Sequence, residues 1–174
     1  MHKLVVTMLF IILFATRLEY FTHSPNMIPP NLQEIKNIAE RGEMYLLRRS
    51  AINTYLYEAF RARTDRDWVS LDDNVRVRFL GALPVMTPAG KMESHFADDE
   101  MRYSLRLNDY PYLVAENIVH LTLWSSHPLP SEKVEEILAS ELSPDRSNRY
   151  WFEQVPLNKS VKGVWHVHVF VQRN

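Results

Sequence analysis

The sequence predicts an α+β fold in which N-terminal helices pack on a small, mainly antiparallel sheet. Apolar residues recur at helical spacing in the first half of the chain. In the last third, apolar and polar residues alternate, which is typical of strands with one solvated face and favours antiparallel pairing. The C-terminal half reads as strand, helix, strand and strand, so helices and strands are largely segregated along the chain.

The composition fits one globular domain that folds without covalent cross-links. Of the 174 residues, 46% are hydrophobic, which is enough for a sizeable core. The 20 basic and 21 acidic residues nearly balance, so we expect no nucleic-acid partner. The chain has no cysteine, which excludes disulfides, cysteine-based zinc sites and thiol catalysis.

Residues 1–24 form a hydrophobic segment ahead of the predicted domain. Residues 4–15 (LVVTMLFIILFA) carry no charge and have the length of a signal-peptide core, although no good cleavage site follows them. The run is shorter than the roughly 20 apolar residues of a membrane span. A signal, a membrane anchor, a buried helix and an extension all remain open, and membrane contact is expected only through residues 4–15 if they are retained. Residues 25–30 contain three prolines and predict a linker before a single domain of residues 31–174.

The helical half begins at Asn31, which with Glu34 forms a capping-box pattern. A second helix is predicted over residues 43–63, and its apolar stripe is Leu47, Ala51, Ile52, Tyr55, Leu56, Ala59 and Phe60. Alternation over residues 75–79 predicts a short strand, while a helix starting after residues 72–73 is almost equally favoured. Residues 83–100 are predicted to form a long loop.

The strand-rich half follows a predicted turn over residues 108–111. A strand is predicted over residues 117–124. Ser131 is predicted to cap a helix that runs to about residue 142. The last two strands are predicted over residues 150–155 and 164–172.

Histidines on two of these strands form the candidate site. Because side chains alternate along a strand, His166 and His168 lie on one face, opposite an apolar face of tryptophan and valines. In the strand over residues 117–124, His120, Thr122 and Trp124 share a face in the same way. If the two strands join one sheet in the same orientation, the three histidines meet. His120, His166 and His168 are therefore candidate catalytic residues, and the candidate substrate-binding residues are Thr122, Trp124, Asn108 and Asp109.

Several chemistries fit that cluster of histidines. Alternating histidines on a strand hold zinc when further ligands complete the shell. The His120-Leu121-Thr122 triplet also matches the pattern of two-histidine phosphoesterases, in which one imidazole takes a proton and the other gives it. Histidine-triad nucleotide-binding proteins need a third alternating histidine, which this chain lacks. A half-exposed sheet face with no chemistry is the structural alternative. Neither the carboxylates near His120 nor Glu153 have diagnostic spacing, so we expect no tightly held metal and no cofactor.

Two classes of function remain open from the residues alone. Imidazole and aromatic side chains on one face suit an enzyme or binding protein for a polar or phosphorylated sugar-like metabolite. A metal-dependent hydrolase is a variant of this hypothesis. The alternative is a non-catalytic regulatory protein that binds a protein partner through the acidic loop of residues 92–100 or through the arginine-rich helix face.

Three stretches carry a family resemblance: residues 40–50, residues 107–125 with the motifs NDYPY and HLTLW, and residues 151–169 with KSV and HVHV. Together they resemble the N-acetylglucosamine-induced protein family of fungi, a domain of unknown function, over roughly residues 31–173. The resemblance implies a cytoplasmic single-domain protein linked to amino-sugar responses, and it supplies no catalytic residue. If residues 4–15 instead direct the chain to the secretory route, Asn158 would lie in a glycosylation sequon.

Overall fold

The structure of the protein is a computed structural model that describes residues 28–154 and 159–173. The predicted hydrophobic segment, the first residues of the linker and the sequon residue Asn158 lie outside this part of the chain. No helix within it is long and apolar enough to cross a membrane.

The described residues form four α-helices and six strands, which confirms the predicted α+β class. The helices are α1 (Leu32–Glu40), α2 (Ala51–Asp67), α3 (Leu71–Leu80) and α4 (Ser131–Glu141), with a short 3₁₀ turn at Met44–Leu46. The strands are β1 (Leu83–Met86), β2 (Met92–His95), β3 (Tyr103–Leu107), β4 (Ile118–Ser125), β5 (Arg149–Phe152) and β6 (Trp165–Gln172).

The main sheet has four antiparallel strands in the order β3-β4-β6-β5, and β1 pairs with β2 in a separate hairpin. One face of the main sheet packs against α4 through a core that contains Leu123, Val134 and Val167. The other face meets two clusters. Ile35 of α1 packs with Phe170, and Val75 of α3 packs with Val164. The candidate histidines lie on this second face, between α1 and α3.

The start of α1 is as the sequence predicts. The Asn31 side chain accepts a hydrogen bond from the Glu34 backbone at 3.0 Å, and the Glu34 carboxylate accepts one from the Asn31 backbone at 2.8 Å. Both bonds of the capping box are therefore present, and they satisfy two backbone donors that the first helical turn would otherwise leave unpaired.

The predicted helix over residues 43–63 is wrong at both ends and in its buried face. Helix α2 begins only after Ser50, whose hydroxyl accepts from the Asn53 backbone at 3.2 Å, because Arg49 is held in a β-bridge with Tyr112. The Asn53 side chain donates to the carbonyl of Pro111 at 3.2 Å, which turns a different face inward. The predicted stripe residues Ile52, Tyr55 and Leu56 are 68%, 60% and 47% exposed.

The strand predicted over residues 75–79 is also wrong, and the alternative helix is confirmed as α3. The Ser70 hydroxyl caps it by accepting from the Asp73 backbone at 3.0 Å, and Asp72 and Asp73 stand in its positive first turn. Gly81, with φ of +72°, ends it in the left-handed conformation that glycine adopts without strain. Five alternating residues fit the period of a strand as well as that of a helix. The capping by Ser70 and Gly81 decides for the helix.

Three smaller predictions need correction. The loop predicted over residues 83–100 contains the hairpin β1–β2, and strand β3 was not predicted at all, although it pairs along most of β4. Pro130, rather than Ser131, occupies the N-cap of α4, and Ser131 is its first residue. Strand β5 ends at Phe152, and Val155, the predicted end, lies outside the described residues.

Candidate functional site

The pairing of β4 with β6 brings the predicted site residues onto one face. Thr122 lies directly opposite His168, Trp124 opposite His166, and His120 opposite Phe170. Directly opposed residues on neighbouring strands share a face of the sheet. The relative orientation of β4 and β6, which the sequence alone could not establish, therefore brings the three histidines onto one face.

The three histidines are buried: His120 and His166 are each 4% exposed and His168 is 7% exposed. Burial, followed by the positive charge of Arg49, lowers the pKa of His120 to about 3. Burial is also the main cause that holds the pKa of His168 well below the ordinary value and lowers the pKa of His166. All three imidazoles are consequently neutral near pH 7.

The hydrogen bonds determine which ring nitrogen carries each proton. The backbone N–H of Tyr112 donates to Nδ1 of His120 at 3.1 Å, so neutral His120 has its proton on Nε2. That nitrogen lies 2.9 Å from Nδ1 of His168 and 3.3 Å from Nδ2 of Asn108. The Asn108 amide nitrogen is itself a donor, so the His120 N–H donates to His168 and the His168 proton stays on Nε2. His166 is the opposite case, since its Nδ1 donates to the carbonyl of Val164 at 2.9 Å and its Nε2 keeps a lone pair.

The other predicted binding residues stand beside this chain of hydrogen bonds. Asn108 donates through Nδ2 to the hydroxyl of Thr122 at 3.0 Å, while its oxygen accepts from the backbone of Tyr110 at 2.9 Å. The Tyr110 bond fixes the orientation of the Asn108 amide. Asp109 is paired with Arg78 at 2.7 Å and is exposed. The indole of Trp124 lies between Phe79 and the imidazole of His166, with ring centroids 5.5 and 4.5 Å away.

These side chains line one cavity of about 160 Å³ that opens to solvent. It is smaller than the roughly 300–1,000 Å³ of sites for drug-sized ligands, so a small molecule is the occupant it suits. Its walls hold three cationic side chains and one carboxylate, in addition to the neutral histidines. Apart from three tyrosines, the polar lining comprises Arg49, Arg78, Asn108, Asp109, Thr122, Gln154, Lys159, Ser160, His166 and His168.

Sequence reasoning missed the cations. The Arg49 guanidinium lies over the ring of Tyr57, 4.2 Å from its centroid, and its Nε donates to the carbonyl of Tyr110 at 3.0 Å. Lys159 reaches the cavity from the segment before β6 and donates to Glu153 at 2.6 Å. The helix predicted over residues 43–63 would place Arg49 on its arginine-rich face. No local pattern marks Arg49, because Tyr110 and Tyr112, which are distant in sequence, bring it to the site.

Two buried polar atoms of residues that line the cavity, the hydroxyl of Tyr57 and the side-chain oxygen of Gln154, have no partner among the described residues. Gln154 is 6% exposed, and its side-chain oxygen accepts no hydrogen bond from the described residues. A buried acceptor without a donor costs roughly 1–3 kcal/mol, unless water or a ligand supplies one.

The bonding of the histidines limits the ways in which they could hold a metal. Both nitrogens of His120 are already engaged, which leaves one ring nitrogen each on His166 and His168. In residues 28–154 and 159–173, no group of three or more histidine, aspartate or glutamate side chains is arranged to hold an ion. The absence of a tightly held metal remains a prediction that elemental analysis can test.

Comparisons with known proteins find a sequence family, a yeast relative and a solved structure. A sequence family described as "Protein of unknown function (DUF3605)" matches residues 31–172. An uncharacterized protein of Saccharomyces cerevisiae, YPL067C, is 29% identical over 159 residues, covering 80% of this chain and 77% of its own. A solved structure titled "Crystal Structure of HTC1" superimposes with a TM-score of 0.56 at 25% identity, over 82% of this chain and 84% of its own.

Proposed function

We propose that this chain, which belongs to the DUF3605 family of proteins of unknown function, binds a small phosphorylated, sugar-like metabolite in the histidine cavity. The observation that carries the proposal is that cationic side chains and neutral imidazoles line one small cavity on the sheet. Cationic groups attract the phosphate, whereas uncharged imidazoles, hydroxyls and amides suit the hydroxyl groups of a sugar.

The charge that remains available in the cavity is positive. Asp109 is neutralised by its ion pair with Arg78. Arg49 makes no ion pair with any described carboxylate, so its guanidinium keeps an uncompensated charge. Lys159 is paired with Glu153, whose side chain is 46% exposed and therefore holds it weakly. An anion that entered the cavity would meet two cations without having to displace a buried partner.

The aromatic and polar lining supports a sugar-like body for the ligand. Tyr57 and Trp124 line the cavity, and aromatic side chains with a few polar groups are typical of sites for small molecules. Thr122 and Asn108 are already oriented by their mutual hydrogen bond. The resemblance to the N-acetylglucosamine-induced family indicates that phosphates of amino sugars are the ligands to test first.

The tautomers favour binding over two-histidine acid–base chemistry. A general acid must hold a proton that it can release near pH 7, but burial keeps His168 neutral and a neutral imidazole releases its remaining N–H only as a very weak acid. His166, with a free lone pair on Nε2, retains the capacity to accept a proton. The site therefore has one candidate base and a hydrogen-bond donor, rather than an acid and a base.

The proposal is tested by thermal shift with matched pairs of ligands: glucose and N-acetylglucosamine, each with and without a 6-phosphate. The phosphorylated sugars are expected to raise the Tm by several degrees at saturation, and the neutral sugars by much less. Arg49→Gln should abolish the difference. Lys133→Gln, on α4 at the opposite face of the sheet, is the matched control and should preserve it. No stabilisation by either phosphate, or equal stabilisation of the Arg49→Gln variant, would refute the proposal.

A second candidate function rests on the exposed face of α2. Ile52, Tyr55 and Leu56 lie on successive turns and form an apolar surface that the described residues leave uncovered. Such surfaces are typical of protein–protein contacts, so they favour the regulatory alternative. If a double Ile52→Ser/Leu56→Ser variant loses the cellular effect of the protein while a His166→Ala/His168→Ala variant retains it, the interaction function is preferred.

A further inference from the structure

We propose that the fold fixes the two cavity histidines in opposite hydrogen-bonding roles, with His168 as donor and His166 as acceptor, so that the site selects a phosphate ester bearing a hydroxyl group. This inference rests on the proposed function and specifies which ligand features the site distinguishes. It makes His120, which does not line the cavity, a positioning residue for His168.

The donor role of His168 is set by two hydrogen bonds in series, from Tyr112 to His120 and from His120 to His168. A backbone N–H cannot change its donor role, so the Tyr112 amide at 3.1 Å forces Nδ1 of His120 to accept. His120 must then donate through Nε2 to Nδ1 of His168 at 2.9 Å. The tautomer of His168 is thereby fixed, and its Nε2–H is the only polar group that it can offer to the cavity.

The acceptor role of His166 has a separate cause. Its Nδ1 lies 2.9 Å from the carbonyl of Val164, an acceptor that can only be bonded by an N–H. The ring proton therefore stays on Nδ1, and the lone pair of Nε2 is left for the cavity that His166 lines. No described residue donates to this nitrogen.

The two roles select for two features in one ligand. A fully deprotonated phosphate ester offers only acceptors, which suit His168 Nε2–H and the guanidinium of Arg49 but leave His166 Nε2 without a donor. A hydroxyl group on the same ligand supplies the donor. The rings of His166 and His168 are 5.8 Å apart at their centroids and inclined at 76°. They would therefore bind different parts of the ligand.

Isothermal titration of the full chain with glycerol 3-phosphate and with n-propyl phosphate tests this selection. The two ligands carry the same charge and the same three-carbon chain, and differ in two hydroxyl groups. Glycerol 3-phosphate is expected to bind about tenfold or more tightly, because one buried hydrogen bond to His166 is gained. His166→Phe, which keeps a ring but removes the acceptor, should remove the difference in affinity between the two ligands.

The outcomes separate this inference from the proposed function. Equal affinity for both ligands would leave phosphate binding intact and overturn the selection by His166. No binding of either ligand would overturn the proposed function, and this inference with it.

A spectroscopic measurement keeps the inference falsifiable if the His166→Phe variant does not fold. In ¹⁵N-detected spectra of the wild-type histidines, His168 should show a protonated Nε2 and His166 a protonated Nδ1. In a His120→Phe variant, the His168 signal should change toward a mixture of tautomers while His166 stays unchanged. The same tautomer for His166 and His168 in the wild type would overturn the proposal.

Discussion

His120 Nε2 lies 2.9 Å from His168 Nδ1 across two neighbouring strands, and this bond joins two buried imidazoles that both resist protonation. A second proton on His120 would have to enter at Nδ1, where the Tyr112 N–H already donates. A second proton on His168 would enter at Nδ1, where the His120 N–H donates. Either event breaks a buried hydrogen bond, so the pair is stable only in its neutral form.

The stability of the protein is therefore expected to fall in mild acid. Unfolded histidines take up a proton near pH 6.5, whereas folded His120, with a pKa of about 3, does not. Between these values the unfolded state binds more protons, so the free energy of unfolding decreases as the pH falls. Urea unfolding between about pH 7.5 and 4.5 should lose about 1.4 kcal/mol per pH unit below pH 6.5 for each imidazole that stays neutral. His120→Phe should remove one such contribution, and an unchanged slope in this variant would contradict the account.

The same substitution should also destabilise the protein at neutral pH. Phenylalanine preserves the stacking on Phe170, which is 4.4 Å away between ring centroids, but it leaves the Tyr112 N–H and the His168 Nδ1 unpaired. Two buried polar groups without partners should cost about 2–5 kcal/mol in the free energy of unfolding. The exposed His95, changed to Gln, is the matched control and should stay within about 0.5 kcal/mol of the wild type. Equal stability of the two variants would show that the histidine bond is not formed.

The inward face of α2 can be tested by paired substitutions. Leu56→Ser alters a residue of the predicted apolar stripe that is 47% exposed in the structure, and it should change the free energy of unfolding by less than about 1 kcal/mol. Phe60→Ala removes a ring that packs on Tyr110 at 5.3 Å and contacts the α3 core, and it should cost about 2–4 kcal/mol. Chemical denaturation distinguishes the two, and a larger loss for Leu56→Ser than for Phe60→Ala would contradict the burial of these two side chains in the structure.

A buried ion pair joins α4 to β5. The Glu135 carboxylate accepts from Arg149 at 3.1 Å and from the indole of Trp151 at 2.6 Å, and the Arg149 side chain is only 2% exposed. Glu135→Ala should cost about 2–4 kcal/mol, because it leaves a buried guanidinium without its counter-charge while the partial exposure of Glu135 reduces the effect. Glu136→Ala, at the exposed neighbouring position, is the control and should cost less than about 0.5 kcal/mol. Comparable losses in both variants would mean that the pair contributes nothing.

The parts of the site that could be predicted depend on local geometry. Side chains alternate along every strand, so the shared face of His166 and His168, and that of His120 and Thr122, follow from counting residues. The sequence could not supply the register that sets Thr122 opposite His168, since it depends on the packing of both sheet faces. It also could not supply Arg49 or the amide of Tyr112, which arrive through a β-bridge between segments distant in sequence.

The errors in the fold have similar causes. Residues 75–79 satisfy a strand period and a helix period over too short a window, and the capping by Ser70 and Gly81 decides for the helix. Apolar spacing predicts which side of α2 is buried, and this prediction is wrong. The structure buries the side that carries Asn53, whose side chain donates to the carbonyl of Pro111. A polar tertiary contact of this kind leaves no periodic signal.

The central claim, that the histidine cavity is a site for a phosphorylated sugar-like ligand, is tested most directly by locating such a ligand. We would determine a crystal structure of the full chain grown with saturating N-acetylglucosamine 6-phosphate. The account predicts that the phosphate lies within hydrogen-bonding distance of Arg49 and Lys159, and that a sugar hydroxyl lies within hydrogen-bonding distance of His166. Ligand bound elsewhere on the protein, or a cavity that holds only water at saturating ligand, would contradict it.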